Sequence, residues 1–166
     1  MKRVITKLGD VFCAQIDSNH KRYFQYVAND LNQLNSNVIR AFKKCYLSAS
    51  NADLSIIIED EIDFYAHCSV SHGIKLTLWE KVGNVQKEIQ LNDVLFRGTN
   101  DYGSKIGEQK IVSSNWYVWK IADKGFTKVG RLKSEHLHSY IGLVINPYGI
   151  MELLKGNKYP VNYPEY

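Results

Sequence analysis

Five histidines and three cysteines are the side chains best suited to metal or nucleophilic chemistry in this 166-residue chain. His67, Cys68 and His72 lie close together, and His136 and His138 form a His-x-His pair. A strand would set both members of that pair on one face, a spacing that metal sites use. Spacing supplies no third and fourth ligand, however, and neither a His-Glu-x-x-His nor a Cys-x-x-Cys pattern occurs. Cys68 beside His67 would place a thiol next to a base, but adjacent strand residues point to opposite faces. There is no Gly-x-Ser-x-Gly elbow and no glycine-rich phosphate loop opening a helix. The expectation is no catalytic residue, no metal and no cofactor, with histidines that are exposed or locally hydrogen-bonded.

Cys13, Cys45 and Cys68 are odd in number, far apart, and each set in a strand-like apolar run. They read as buried free thiols in a reducing compartment. The charged start Lys2-Arg3 is not followed by the apolar stretch of a signal peptide, and no segment approaches a membrane span. The expected location is cytoplasmic.

Charge is distributed unevenly. Residues 1–46 carry +5, residues 47–101 carry −5 and residues 102–166 carry +4, for a net +4. The acidic block concentrates in Glu59, Asp60, Glu61 and Asp63, which read either as a solvated sheet edge or as a docking face for a basic partner. Lys2, Arg3, Lys7, Arg22, Arg40, Lys43 and Lys44 interleave with Tyr23, Phe24 and Tyr26. Phosphate-attracting charge beside stacking aromatics would suit nucleic acid, while an ordinary mixed surface is the favoured reading of the pattern.

The elements that must position these residues are mostly strands. Eleven tyrosines, three tryptophans and six phenylalanines with only three prolines favour a strand-rich domain. Gly9–Ile16 and Arg22–Ala28 form a strand pair around the polar turn 17–21, and Asn37–Tyr46 follows as a third strand after an amide-rich loop. In that third strand Ile39, Ala41 and Cys45 alternate with Arg40 and Lys44, as in a sheet with one wet side. Further strands are expected at Phe64–Val70, Gly73–Trp79, Val85–Leu91, Asn115–Ile121 and Tyr140–Ile145. Val82-Gly83-Asn84 is read as a reversal and Asp123-Lys124-Gly125 as a hairpin turn. One helix signal is strong: Asn146 as N-cap, Pro147 at the first position, and Gly156 past the end. The expected fold is mainly β (or α+β), an antiparallel sheet or partly closed barrel with one or two short helices. It forms a single domain over residues 1–166, with a candidate subdomain boundary at the glycine-rich stretch near 97–110.

Lys7-Leu8-Gly9-Asp10-Val11-Phe12 followed by Arg22-Tyr23-Phe24-Gln25-Tyr26-Val27 resembles the start of the immunity protein 26 family of bacterial polymorphic toxin systems. Leu78-Trp79-Glu80-Lys81-Val82-Gly83-Asn84 is similar to that family's Trp-then-Gly segment, so the likeness spans residues 7 to about 97. The resemblance implies an antitoxin that binds and neutralises a cognate protein toxin, with no catalytic residue of its own. Glu59, Asp60, Glu61 and Asp63 would then steer the partner, and Trp79 and Trp116 would anchor it wherever they are exposed. The rival expectations are a nucleic-acid-binding small barrel and, behind it, a hydrolase or nuclease whose residues converge only in three dimensions.

Overall fold

A computed structural model describes residues 4–102, 110–159 and 161–165. The strands β1 (Asp10–Gln15), β2 (His20–Asp30) and β3 (Ser36–Phe42) form an antiparallel meander. It opens at Gly9, whose φ of +85° lies in the left-handed region. A side chain there would press on the Val85 carbonyl, so glycine is the residue that fits. Asp10 is fully buried: it accepts from the Lys7 and Asn84 nitrogens and pairs with Lys81 at 2.6 Å. Burial alone would push its carboxyl up, but these bonds together hold it below its ordinary value. The Gly-Asp motif therefore fastens the first turn to a neighbouring strand.

That neighbour is β6 (Glu80–Asn84), which pairs with β1. On the other side β5 (Ile62–Cys68) pairs antiparallel with β3, and the two-residue β11 (Val144–Ile145) runs parallel to β5. The order is β11-β5-β3-β2-β1-β6, with β4 (Tyr46–Leu47) attached to β2. A second sheet has the order β10-β7-β8-β9, from β7 (Leu95–Gly98), β8 (Trp116–Lys120), β9 (Thr127–Gly130) and β10 (Tyr140–Ile141). Both sheets are mixed, because β11 pairs parallel to β5 in the first and β10 parallel to β7 in the second. Among the described residues the fold is mainly β, with three short helices and no closed barrel.

Both faces of the large sheet are covered. Phe12, Phe24, Tyr26, Ile39, Ala41 and Ala66 pack under α2 (Val70–Lys75) and α3 (Pro147–Leu154), which contribute Val70, Ile150, Met151 and Leu154. On the opposite face Val11, Cys13, Tyr23 and Phe42 meet Ile57 and Ile58 from α1 (Leu54–Ile57) and its cap. Beside them Val27, Val38 and Tyr65 pack on Val94, Phe96 and Trp119, so one apolar cluster bridges the two sheets. At about 1.5–3 kcal/mol per buried large apolar side chain, these three clusters dominate the folding free energy.

This double coverage corrects the expected wet side: Arg40 is 8% exposed and lies under α1 rather than in solvent. Three local expectations also fail. Gly73–Trp79 is not a strand, since α2 occupies Val70–Lys75 and ends where Thr77 adopts a φ of +57°. Val82–Asn84 is not a reversal but most of β6, and 85–91 has no regular structure. Tyr140–Ile145 is two strands, one in each sheet. The helix over 147–154 follows the sequence closely: Asn146 accepts from the Gly149 N–H, and Gly156 has a φ of +80°.

Candidate partner-binding surface

Each member of the acidic run has a partner contributed by a distant part of the chain. Glu59 pairs with Lys87, Asp60 accepts from the Tyr46 hydroxyl, Glu61 pairs with Lys43, and Asp63 pairs with Arg22 at 2.6 Å. The Lys87 charge, given first by its hydrogen bond, holds the Glu59 carboxyl below its ordinary value. Asp63 meets a guanidinium that is nearly buried and that also donates to the Phe42 and Leu154 carbonyls. The run thus fastens the corner between α1 and β5 to β2, β4 and the loop after β6, and presents little uncompensated negative charge.

Trp79 and Trp116 do not meet the condition of exposure, at 4% and 1%. Trp79 donates to the Val70 carbonyl at 3.0 Å and stands edge-on to Phe24, closing α2 onto the sheet. Trp116 carries the Arg97 guanidinium on its face, 5.5 Å from the ring centre. Both serve the interior, and the exposure on which an anchoring role depended is missing. Of the described members of the N-terminal basic and aromatic set, only Lys7, Lys43 and Lys44 are exposed. Tyr23, Phe24 and Tyr26 are buried, Arg22 and Arg40 turn inward, and Lys43 is paired; Lys2 and Arg3 lie outside the described residues. Part of the candidate boundary, residues 103–109, lies outside them too.

The histidines separate. His67 is fully buried and its Nε2 lies 2.8 Å from Asp30 Oδ2, while Cys68 points into the helix-covered cluster on the other face. His72 is exposed on α2, and His136 sits in a 3-10 turn, Ser134–His136, rather than a strand with His138. Among the described residues no group of three His, Cys, Asp or Glu is placed to hold a metal ion. Cys13 and Cys68 are buried, and burial pushes the Cys68 thiol up to about 12. Cys45 is exposed, contrary to expectation, because the chain leaves β3 at Phe42 and does not re-enter the sheet until Tyr46. No described helix is long and apolar enough to cross a membrane.

The feature the sequence did not single out is the tip of the β2–β3 hairpin. Leu31 and Leu34 are 81% and 87% exposed, the two most exposed large apolar side chains among the described residues. Leu34 and Asn35 both have left-handed backbones, φ +58° and +52°. For leucine that conformation costs about 1–2 kcal/mol, so the surrounding structure must impose it. It does so with named bonds. Asp30 Oδ1 accepts from the Asn32 N–H at 2.9 Å, and the Ser36 hydroxyl donates to the Gln33 carbonyl at 2.6 Å. The Gln33 and Asn32 amides then donate across the molecule to the Gly142 and Asp123 carbonyls, at 2.6 and 2.8 Å.

Beneath the tip, Asp30 Oδ2 also accepts from the Trp119 indole at 2.7 Å, so Asp30, His67 and Trp119 form a solvent-free knot between the sheets. Burial pushes the Asp30 carboxyl up, but the bonds with His67, Trp119 and the Asn32 N–H outweigh it and hold it below its ordinary value. The tip is therefore a rigid projection with two apolar side chains in water. The Asn32 bond to Asp123 sets it beside the β8–β9 turn, which carries Lys124 and the 47%-exposed Phe126. Amide loops carry little apolar periodicity, and the two leucines spaced i, i+3 were the available signal.

No family model matches the chain, and neither does any curated protein or solved structure.

Proposed function

We propose that this chain is a protein-binding domain that acts as an immunity protein, blocking a cognate protein toxin. The observation that carries the reading is the hairpin tip. Two leucines held in water by a strained, cross-braced loop are a pre-formed contact, because little conformational freedom is left to lose on binding. The resemblance of residues 7 to about 97 to the immunity family supplies the kind of partner. The partner's surface would offer an apolar cleft for Leu31 and Leu34 with an acidic rim facing Lys124 and Lys128.

The test is to co-express the chain with the product of the neighbouring gene and purify them together. A stoichiometric complex that suppresses the product's toxicity supports the reading, and Leu31→Asp with Leu34→Asp should then abolish protection while leaving the thermal unfolding curve in place. No complex and no protection would reject it. A second reading, nucleic-acid binding, draws on the segment 110–133, where six Lys/Arg face one Asp and Phe126 is exposed. It predicts binding that weakens steeply with salt.

A further inference from the structure

Strand edges are the usual route by which β proteins associate with themselves, and among the described residues every sheet end here is blunted. At one end of the large sheet β6 pairs Gly83 with Val11 and Lys81 with Phe12, so Val82 bulges out of the ladder. In the second sheet β9 pairs Gly130 with Trp116 and Lys128 with Tyr117, and Val129 bulges in the same way. The remaining ends, β10 and β11, are two residues long. Contact between copies of this chain must therefore rest on side chains rather than on backbone ladders.

A groove of about 470 Å³ lies between α3 and the β1–β2 turn, with Ile16, Leu78, Tyr148 and Met151 as its apolar lining. A second depression of about 410 Å³ shares Gln15 and Leu78 with it and continues towards Ile74 and Trp79. All of the lining belongs to described residues, and Tyr148 keeps 59% of its surface in water. The two lysines of the lining are spent locally, Lys155 on Glu152 and Lys81 on the buried Asp10. Asp17 has only the His20 imidazole, at 3.1 Å, and Glu80 has no ion-pair partner among the described residues. The groove is apolar with an acidic rim.

The hairpin tip has the opposite character in both respects. It projects rather than recedes, and it ends in Leu31 and Leu34. The β8–β9 hairpin bonded to it carries Lys120, Lys124 and Lys128, none of them paired with a carboxylate among the described residues. Asp123 of that hairpin accepts from the Lys120 backbone N–H at 2.7 Å. The two surfaces lie at opposite ends of β2: the groove beside Ile16 and Asp17, before its first residue, and the tip after its last. Eleven residues of strand hold them roughly 35 Å apart, so a molecule cannot fill its own groove but can fill a neighbour's.

We propose that the hairpin tip of one copy docks in this groove of a second copy. Leu31 and Leu34 meet Ile16, Leu78 and Met151, and Lys124 and Lys128 face Asp17 and Glu80. The two contacting surfaces differ, so the interface is heterologous: each added copy presents a fresh tip, and the assembly grows head to tail. The proposal does not rest on the immunity reading, but it uses the same leucines, so a toxin bound there would displace the neighbouring copy.

The test is sedimentation velocity of the purified full chain, with no partner present, from about 10 µM to about 1 mM. The weight-average mass should rise past two copies and fall back when salt screens the charged rim. Leu31→Asp with Leu34→Asp removes the tip and leaves the groove; Tyr148→Lys with Glu80→Lys removes the groove and leaves the tip. All four side chains are exposed. Each variant alone should stay monomeric, whereas an equal mixture should form a dimer and stop there, because each pair holds one intact tip and one intact groove. Glu80→Lys alone, expected to weaken association roughly fivefold, serves if the double groove variant loses the native near-ultraviolet spectrum. A chain that is monomeric throughout leaves the tip to a toxin and overturns the proposal without touching the immunity reading. Association that survives in either variant, or a mixture that stays monomeric, overturns it as well.

Discussion

Replacing Asp30 by alanine removes the acceptor from the knot between the sheets. Asp30 and His67 have no exposed surface and Trp119 has 1%, so water cannot re-satisfy the donors left behind. Two fully buried donors, the Trp119 indole and the His67 imidazole, lose their partner, at about 1–3 kcal/mol each. The cavity left by a carboxylate adds less than a kilocalorie or so, and the exposed loop N–H of Asn32 adds little. The expected loss is about 2–7 kcal/mol, a large share of the 5–15 kcal/mol available to a typical domain. Urea unfolding followed by near-ultraviolet circular dichroism measures it.

Asp30→Asn keeps the shape and one acceptor oxygen but loses the charge, and should cost roughly half as much. It also isolates the pH dependence. The folded-state carboxyl of Asp30 titrates below its ordinary value of 3.8. Its stabilising contribution is therefore fully present above that pH and is lost as pH falls through the lowered folded value. The wild type should steepen in stability loss below pH 4 relative to Asp30→Asn. A cost below about 1 kcal/mol for the alanine variant, or parallel pH curves for wild type and Asp30→Asn, would refute the reasoning.

Gly73→Ala would drive a methyl group into the six-membered ring of Trp79, itself wedged against Phe24; overpacking of this kind costs about 1–3 kcal/mol, read as a lowered urea midpoint. Leu34→Gly relieves a left-handed leucine worth about 1–2 kcal/mol against a backbone entropy cost of about 0.5–1, so the melting temperature should rise slightly even as the proposed protein contact weakens. Ellman's reagent should titrate one thiol in the native protein, Cys45, and three after denaturation; two or three fast native thiols would contradict the burial of Cys13 and Cys68.

The sequence was most readable where a local rule acts alone. The turn residues around β1 and β2, the hairpin signal after β8, and the Asn-Pro start and Gly stop of α3 each operate within a few positions. Gly73–Trp79 misled because Ile74, Leu76 and Leu78 alternate, whereas the closeness of Trp79 to Gly73 and the cover of the sheet decide for a helical turn. The acidic run misled for a related reason. Its partners, Arg22, Lys43, Tyr46 and Lys87, are brought to it by sheet register, which charge counting cannot see. Trp116 and Val118 share one face of β8 and alternate with Tyr117 and Trp119, as a strand should, yet only the second sheet and the segment after α3 decide that Trp116 is covered. The hairpin tip was visible as a loop, but its stiffness depends on amide bonds to Asp123 and Gly142, far along the chain.

The two short strands β10 and β11 join different sheets through Gly142 and Leu143, and α3 follows them at once. During synthesis from the N-terminus, the large sheet therefore waits for residues 140–154 before its β5 edge is paired and its Phe24–Ile39 face is covered. Domains are made at about 5–20 residues per second, so a nascent chain carries an open edge and an apolar face until that segment leaves the ribosome. Chaperone dependence should accordingly track ribosome stalling between β9 and α3 more than stalling anywhere earlier in the message.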